Sequence, residues 1–221
     1  ISVNGMSVFR DHASYICGKT GTKVRARMHS PVEPGRGFAV SAAAVLAYSL
    51  LHASIAGRGF IEDYTMLAHE AEVLYKTGLG DVPAIFYGGL EVRVKPGAPG
   101  IGVVKRIAIG FKPCLIACVL PGFESTPEML SRLSREVYEY GEKLLRDLEE
   151  NPSLEAFFDK AQLFTRRVFE YSAVDRAVEG YRNSIVGFFR KKQALVAWIE
   201  RDRARDVAEH FEKTLKAKCF E

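Results

Sequence analysis

The chain lacks an uninterrupted apolar run of membrane-spanning length. Its most apolar stretch, Phe38 to Ile55, is broken by Ser41, Ser49, His52 and Ser54. A bilayer helix needs roughly 20 consecutive apolar residues, so this stretch reads as a core helix. No secretory leader is apparent, and the compartment expected is the cytoplasm, with no membrane partner. Cysteine is scarce. Cys17, Cys114, Cys118 and Cys219 are too irregularly spaced for a zinc site or a disulfide framework. Cys114 and Cys118 share one face of an expected strand and read as buried free thiols. A large charge excess is also missing: 31 Lys and Arg stand against 27 Asp and Glu, for a net charge of +4. Without a basic stripe, nothing singles out nucleic acid as a partner. Neither repeats nor low-complexity tracts occur. A soluble globular chain remains.

What is there suits one large domain or two small ones: 221 residues, 48% of them hydrophobic and 26% charged. The start, Ile1-Ser2-Val3-Asn4-Gly5, reads as a strand already under way with a turn signal behind it, which leads us to expect further residues upstream. A short helix over 11–17, a strand over 24–29 and helices over 41–56 and 61–76 follow. Gly57 and Gly59 separate the two longer helices. A strand over 90–94 comes next. The Pro- and Gly-rich loop 96–100 marks the nearest domain boundary, and the division expected is 1–105 and 106–221. The second part reads as strands over 103–109 and 114–119 and a long helix over 126–150. Helical segments over 154–171 and from 173, a strand over 193–199 and a charged closing helix over 202–218 complete it. Strands and helices mix without regular alternation, so the class expected is α+β.

Three features can carry chemistry. In the first, the run Pro34-Gly35-Arg36-Gly37-Phe38-Ala39-Val40-Ser41-Ala42 leads from a glycine loop straight into a helix. Unpaired N–H groups and the positive end of the helix dipole suit a phosphate there. Ser41 is either a ligand for a cation or phosphate or a simple cap. The second is the acidic pair Glu70 and Glu72, on opposite flanks of the apolar face of the second helix, with His69 pointing more outward. Helical geometry does not choose between them. The third is Asp81 in Thr77-Gly78-Leu79-Gly80-Asp81, where two glycines let the backbone bend sharply and approach a ligand. An aspartate there can take a hydroxyl proton, bind a cation or stabilise a turn. Together the three supply what phosphoryl transfer from ATP needs: a phosphate cradle, ligands for one hard cation and a carboxylate for the acceptor hydroxyl.

The loop 34–44 resembles the second motif of the GHMP kinases, Pro-x-x-x-Gly-Leu-Gly-Ser-Ser-Ala. Ala68-His69-Glu70-Ala71-Glu72-Val73, Thr77-Gly78-Leu79-Gly80-Asp81-Val82 and Gly88-Gly89-Leu90-Glu91-Val92-Arg93 are similar to the archaeal pantoate kinase branch. The resemblance is strong over about 34–100. It is weaker but collinear beyond, where Asn183-Ser184-Ile185-Val186-Gly187 stands as a degenerate third motif.

The resemblance implies a two-layer, ribosomal-protein-like N-terminal domain and a ferredoxin-like C-terminal domain. It also implies an enzyme that uses ATP and Mg2+ to phosphorylate (R)-pantoate on the way to coenzyme A, and it is compatible with a homodimer. By position, Ser41 and Glu72 would hold the magnesium and Asp81 would deprotonate the pantoate hydroxyl. The backbone around Gly35 to Ser41 would cradle the phosphates. Arg93, on its own an exposed strand residue, would pair with the pantoate carboxylate. The sequence departs from the pattern at Ala39, where the family has glycine, and in having no first motif ahead of Ile1.

Overall fold

The computed structural model describes residues 1–220, and the chain divides into two compact units, Ile1–Arg106 and Ile107–Glu221. The first unit opens with β1 (Ser2–Val3) and β2 (Met6–Ser7). Asn4 (φ 52°) and Gly5 (φ 82°) turn the hairpin between them, the left-handed pair that a two-residue turn of this kind requires. After α1 (Arg10–Thr20), β3 (Arg27–Met28) pairs parallel with β1. Of the strand expected over 24–29, only these two residues join the ladder. Next come α2 (Val40–Ala56), α3 (Ile61–Leu74) and α4 (Asp81–Tyr87), followed by the antiparallel pair β4 (Glu91–Lys95) and β5 (Val103–Arg106).

The core of this unit is built on small residues. Ala42, Ala68 and Ala71 are fully buried among Ile16, Val45 and Tyr48. Alanine at these positions lets α2 approach α3 closely while keeping good helix propensity. Gly57 (φ 60°) ends α2, its N–H donating to the Ala53 carbonyl as left-handed C-caps do.

The second unit contains β6 (Cys114–Val119), α5 (Thr126–Ser131), α6 (Arg135–Glu150), α7 (Leu154–Thr165), α8 (Ser172–Glu179), β7 (Ile185–Lys191), β8 (Ala194–Ile199), α9 (Ala204–Leu215) and β9 (Lys218–Phe220). The sheet order is β7-β8-β6-β9, with every neighbour antiparallel. With the helices between β6 and β7 counted as one layer, this is the β-α-β-β-α-β arrangement of a ferredoxin-like fold. Val174, Leu195, Val207 and Phe211 anchor its core.

Several expectations are corrected here. The single helix over 126–150 is two. Ser125 and Glu128 form a capping box that starts α5, and Ser134 Oγ accepts from the Val137 N–H to start α6. The helix expected to run to 171 stops at Thr165, where the chain turns before α8. The closing helix gives way to β9, a strand hidden in a charged tail. β7 was legible only as a motif, since its glycine obscured the strand. Gly187 has no room for a side chain, because a Cβ there would lie 2.8 Å from the Phe158 Cβ.

Cys114 is a free thiol but only partly buried, and the free-thiol reading fails for Cys118, which is disulfide-bonded to Cys219. β9 lays Cys219 directly opposite Cys118 in the ladder, a pairing that spacing alone does not reveal. The bridge spans 101 residues of sequence. We expect Cys219→Ser to lower the unfolding free energy by about 2–4 kcal/mol in urea titrations. Identical midpoints for the native protein with and without reductant would remove any role for the bridge in stability. Among the described residues no helix is long and apolar enough to cross a membrane.

Candidate active site

The glycine loop reaches α2 through three left-handed residues: Gly35 (φ 87°), Gly37 (φ 90°) and Ala39 (φ 55°). Ala39 is the N-cap of α2. An alanine there costs about 1–2 kcal/mol relative to a right-handed residue. Its methyl packs against the core cluster, which offsets part of that cost. The first helical bond runs from the Ala43 N–H to the Ala39 carbonyl at 2.9 Å, so the N–H groups of Val40, Ser41 and Ala42 lie ahead of it. No acidic side chain occupies the first turn, and the terminus is left to an outside anion. Arg36 is bound to Glu33 at 2.8 Å. Beside the loop lies a cavity of about 490 Å³, walled by apolar groups including Val3, Met28, Val32, Phe38 and Val40, with Pro34 outside it.

Burial separates the two glutamates that the helical wheel left equal. Glu72 is 1% exposed. Its Oε2 accepts from Ser41 Oγ at 3.2 Å, and its Oε1 accepts from Thr77 Oγ1 at 2.6 Å. Glu70 faces outward and accepts from the Tyr15 hydroxyl at 2.7 Å, a bond that chiefly pushes the Tyr15 pKa up to about 12. His69 corrects the expectation that it points outward, being 8% exposed. Its Nδ1 has no hydrogen-bond partner among the described residues. Burial, and then the charge of Arg93, lowers its pKa. Burial likewise raises the pKa of Glu91, against the pull of Arg93.

The two glycines before Asp81 are small for a reason other than the one expected. Neither is among the left-handed glycines. What each lacks is room. A Cβ on Gly78 would collide with Glu72 Oε2 and sit 3.8 Å from Asp81 Oδ2, and a Cβ on Gly80 would overlap the Arg93 guanidinium. Arg93 Nη1 also donates to the Leu79 carbonyl at 3.1 Å. The loop thus draws Glu72, Asp81 and Arg93 together, with Ser41 behind Glu72. Asp81 is the first residue of α4 and only partly buried.

Sequence reasoning missed His12 and Thr77. His12, in α1, is 4% exposed, and its Nε2 lies 2.7 Å from Thr77 Oγ1 and 3.5 Å from Glu72 Oε1. Burial lowers its pKa against a smaller opposite pull from Asp11. No periodic signal marks a histidine so far along the chain from its partners. A hydroxyl residue opening the Thr-Gly-Leu-Gly-Asp run was the one available hint.

The donor set fits magnesium. Ser41 and Glu72 offer hard oxygen ligands, and a carboxylate this deeply buried calls for a cationic partner. Among the described residues no group of three or more His, Cys, Asp or Glu is placed to enclose a metal.

The helix end after the glycine loop, the Ser41–Glu72 contact and Asp81 thus lie in one unit of the chain, and this part of the sequence is similar to known proteins. The family model described as GHMP kinases N terminal domain matches residues 6–89, so this part of the chain is similar to that domain. The chain is 33% identical over 176 residues to the pantoate kinase of Thermococcus kodakarensis, covering 76% of this chain and 58% of that protein. With the pantoate kinase of Methanocaldococcus jannaschii it shares 35% identity over 105 residues, 47% of this chain and 38% of the relative. The chain thus spans less than two thirds of either relative's length. A solved structure described as a phosphotransferase related to the CoA biosynthesis pathway superposes with a TM-score of 0.80 at 26% identity, over 99% of this chain and 76% of that one. The mevalonate kinase of Methanococcus jannaschii superposes with a TM-score of 0.68 at 12% identity, over 95% of this chain and 72% of that one, and shares the fold.

Proposed function

We propose that the protein is an ATP-dependent kinase of a small hydroxy acid, with (R)-pantoate as acceptor and 4-phosphopantoate as product, a step towards coenzyme A in the cytoplasm. The observation that supports this reading is the loop 77–81, whose Gly78 faces Glu72 and Asp81 and whose Gly80 faces the Arg93 guanidinium. The backbone of residues 35–41 takes the ATP phosphates, with Pro34 and Ala42 flanking it, and the cavity beside Phe38 receives the apolar face of the base. Ser41 and Glu72 would hold Mg2+, which when bound would supply charge neutralisation on the phosphates. Asp81 accepts the proton of the acceptor hydroxyl as it attacks the terminal phosphorus in line. Arg93 pairs with the acid's carboxylate in a forked, charge-assisted contact.

The discriminating experiment supplies Mg-ATP with pantoate, mevalonate or homoserine and follows ADP release. We expect turnover with pantoate alone. Indifference to pantoate with turnover of another acceptor would move the assignment to a different GHMP kinase. ATP binding by calorimetry without any product would make the protein a catalytically silent member.

A further inference from the structure

The buried end of Glu72 is held by a chain of hydrogen bonds that starts in α1. Thr77 has one hydroxyl proton, and at 2.6 Å it is given to the Glu72 carboxylate. The same oxygen therefore accepts from its other neighbour, His12 Nε2, at 2.7 Å. This fixes the imidazole tautomer: Nε2 carries the proton and Nδ1 is bare. Nδ1 lies buried with no partner among the described residues, in a ring whose centroid is 5.6 Å from that of Phe9 and 4.8 Å from that of Tyr75. A histidine that only filled space there would gain nothing from its polar atoms, since an apolar ring avoids the unsatisfied nitrogen.

On the kinase reading above, we infer that His12 is a positioning residue for the metal. Through Thr77 it holds Glu72 Oε1 away from the phosphate side, so that Oε2, beside Ser41 Oγ and against Gly78, is the oxygen presented to Mg2+. Partners of this kind orient a ligating carboxylate, and their loss typically costs 10–100-fold in metal affinity.

The test measures uptake of Mn2+ in the presence of ADP, from the electron paramagnetic resonance signal of the free ion, alongside steady-state kinetics and thermal melting. His12→Leu should weaken Mn2+ uptake about 10–100-fold and raise the Mg2+ needed for half-maximal rate, with the KM for the hydroxy acid unmoved. His12→Gln, whose amide donates from nearly the same place, should restore most of the affinity. Thr77→Val should match His12→Leu, and the double variant should be no worse than either. If His12→Leu does not fold, Thr77→Val and His12→Gln decide the matter. Native-like Mn2+ affinity in folded His12→Leu or Thr77→Val, or a Gln variant no better than Leu, overturns the inference while leaving the kinase reading intact. A wild-type protein that takes up no Mn2+ with ADP overturns both.

Discussion

Asp81→Asn should lower phosphoryl transfer by about 10²- to 10⁴-fold, the range a positioned general base contributes, while nucleotide affinity stays close to that of the native protein. Asparagine keeps the volume and the place at the first position of α4, and it sits outside the glycine loop proposed to take the phosphates. What it loses is the ability to take a proton. A single-turnover measurement with saturating Mg-ATP reads the chemical step directly, and calorimetry with ATP reads binding. An Asn variant with native turnover would end the assignment of Asp81 as the base.

The pair Gly78→Ala and Gly80→Ala should separate the two halves of the site. Neither glycine uses a left-handed backbone, and the atoms an added methyl would meet are the ends of side chains, so the variants should fold. The added methyl acts on different neighbours. At position 78 it displaces the Glu72 carboxylate, and at position 80 it evicts the Arg93 guanidinium. Gly78→Ala should therefore raise the Mg2+ requirement and depress kcat with little change in the KM for the hydroxy acid. Gly80→Ala should raise that KM by about 10–100-fold, the worth of a charge-assisted contact of 1.5–3 kcal/mol, with the Mg2+ requirement unmoved. Kinetics in which both variants fail in the same parameter would show that the loop acts as one unit, and the division of labour between Glu72 and Arg93 would fall.

Much of this was readable from residue order, and the failures have physical causes. The short hairpin, the Ala-rich helix and the strand of Cys114–Val119 follow from turn residues and periodicity. The helix breaks near residues 132–134 and 165 depend on serine caps and chain turns inside a continuous polar–apolar pattern, which periodicity does not register. β9 carries too few residues to show alternation. For the candidate site, the wheel left Glu70 and Glu72 equivalent because it lacks the neighbours that bury one and solvate the other. The same lack put His69 on the outside. The glycines of the 77–81 loop were noticed, but their reason is space beside side chains distant in sequence, which only coordinates reveal. His12 was invisible because its role lies wholly in what it touches.

Ala39 shows what such a site means for recognition. Its left-handed φ of 55° places it where the family's motif has glycine, yet the methyl packs on the core. A glycine hinge would let the cradle sample many shapes and would charge the cost of ordering it to each binding event. With alanine that ordering is completed once, as the chain folds. On the proposed reading, nucleotide would then meet aligned N–H groups, so association would carry a smaller entropic penalty and the loop would act as a mould more than a lid.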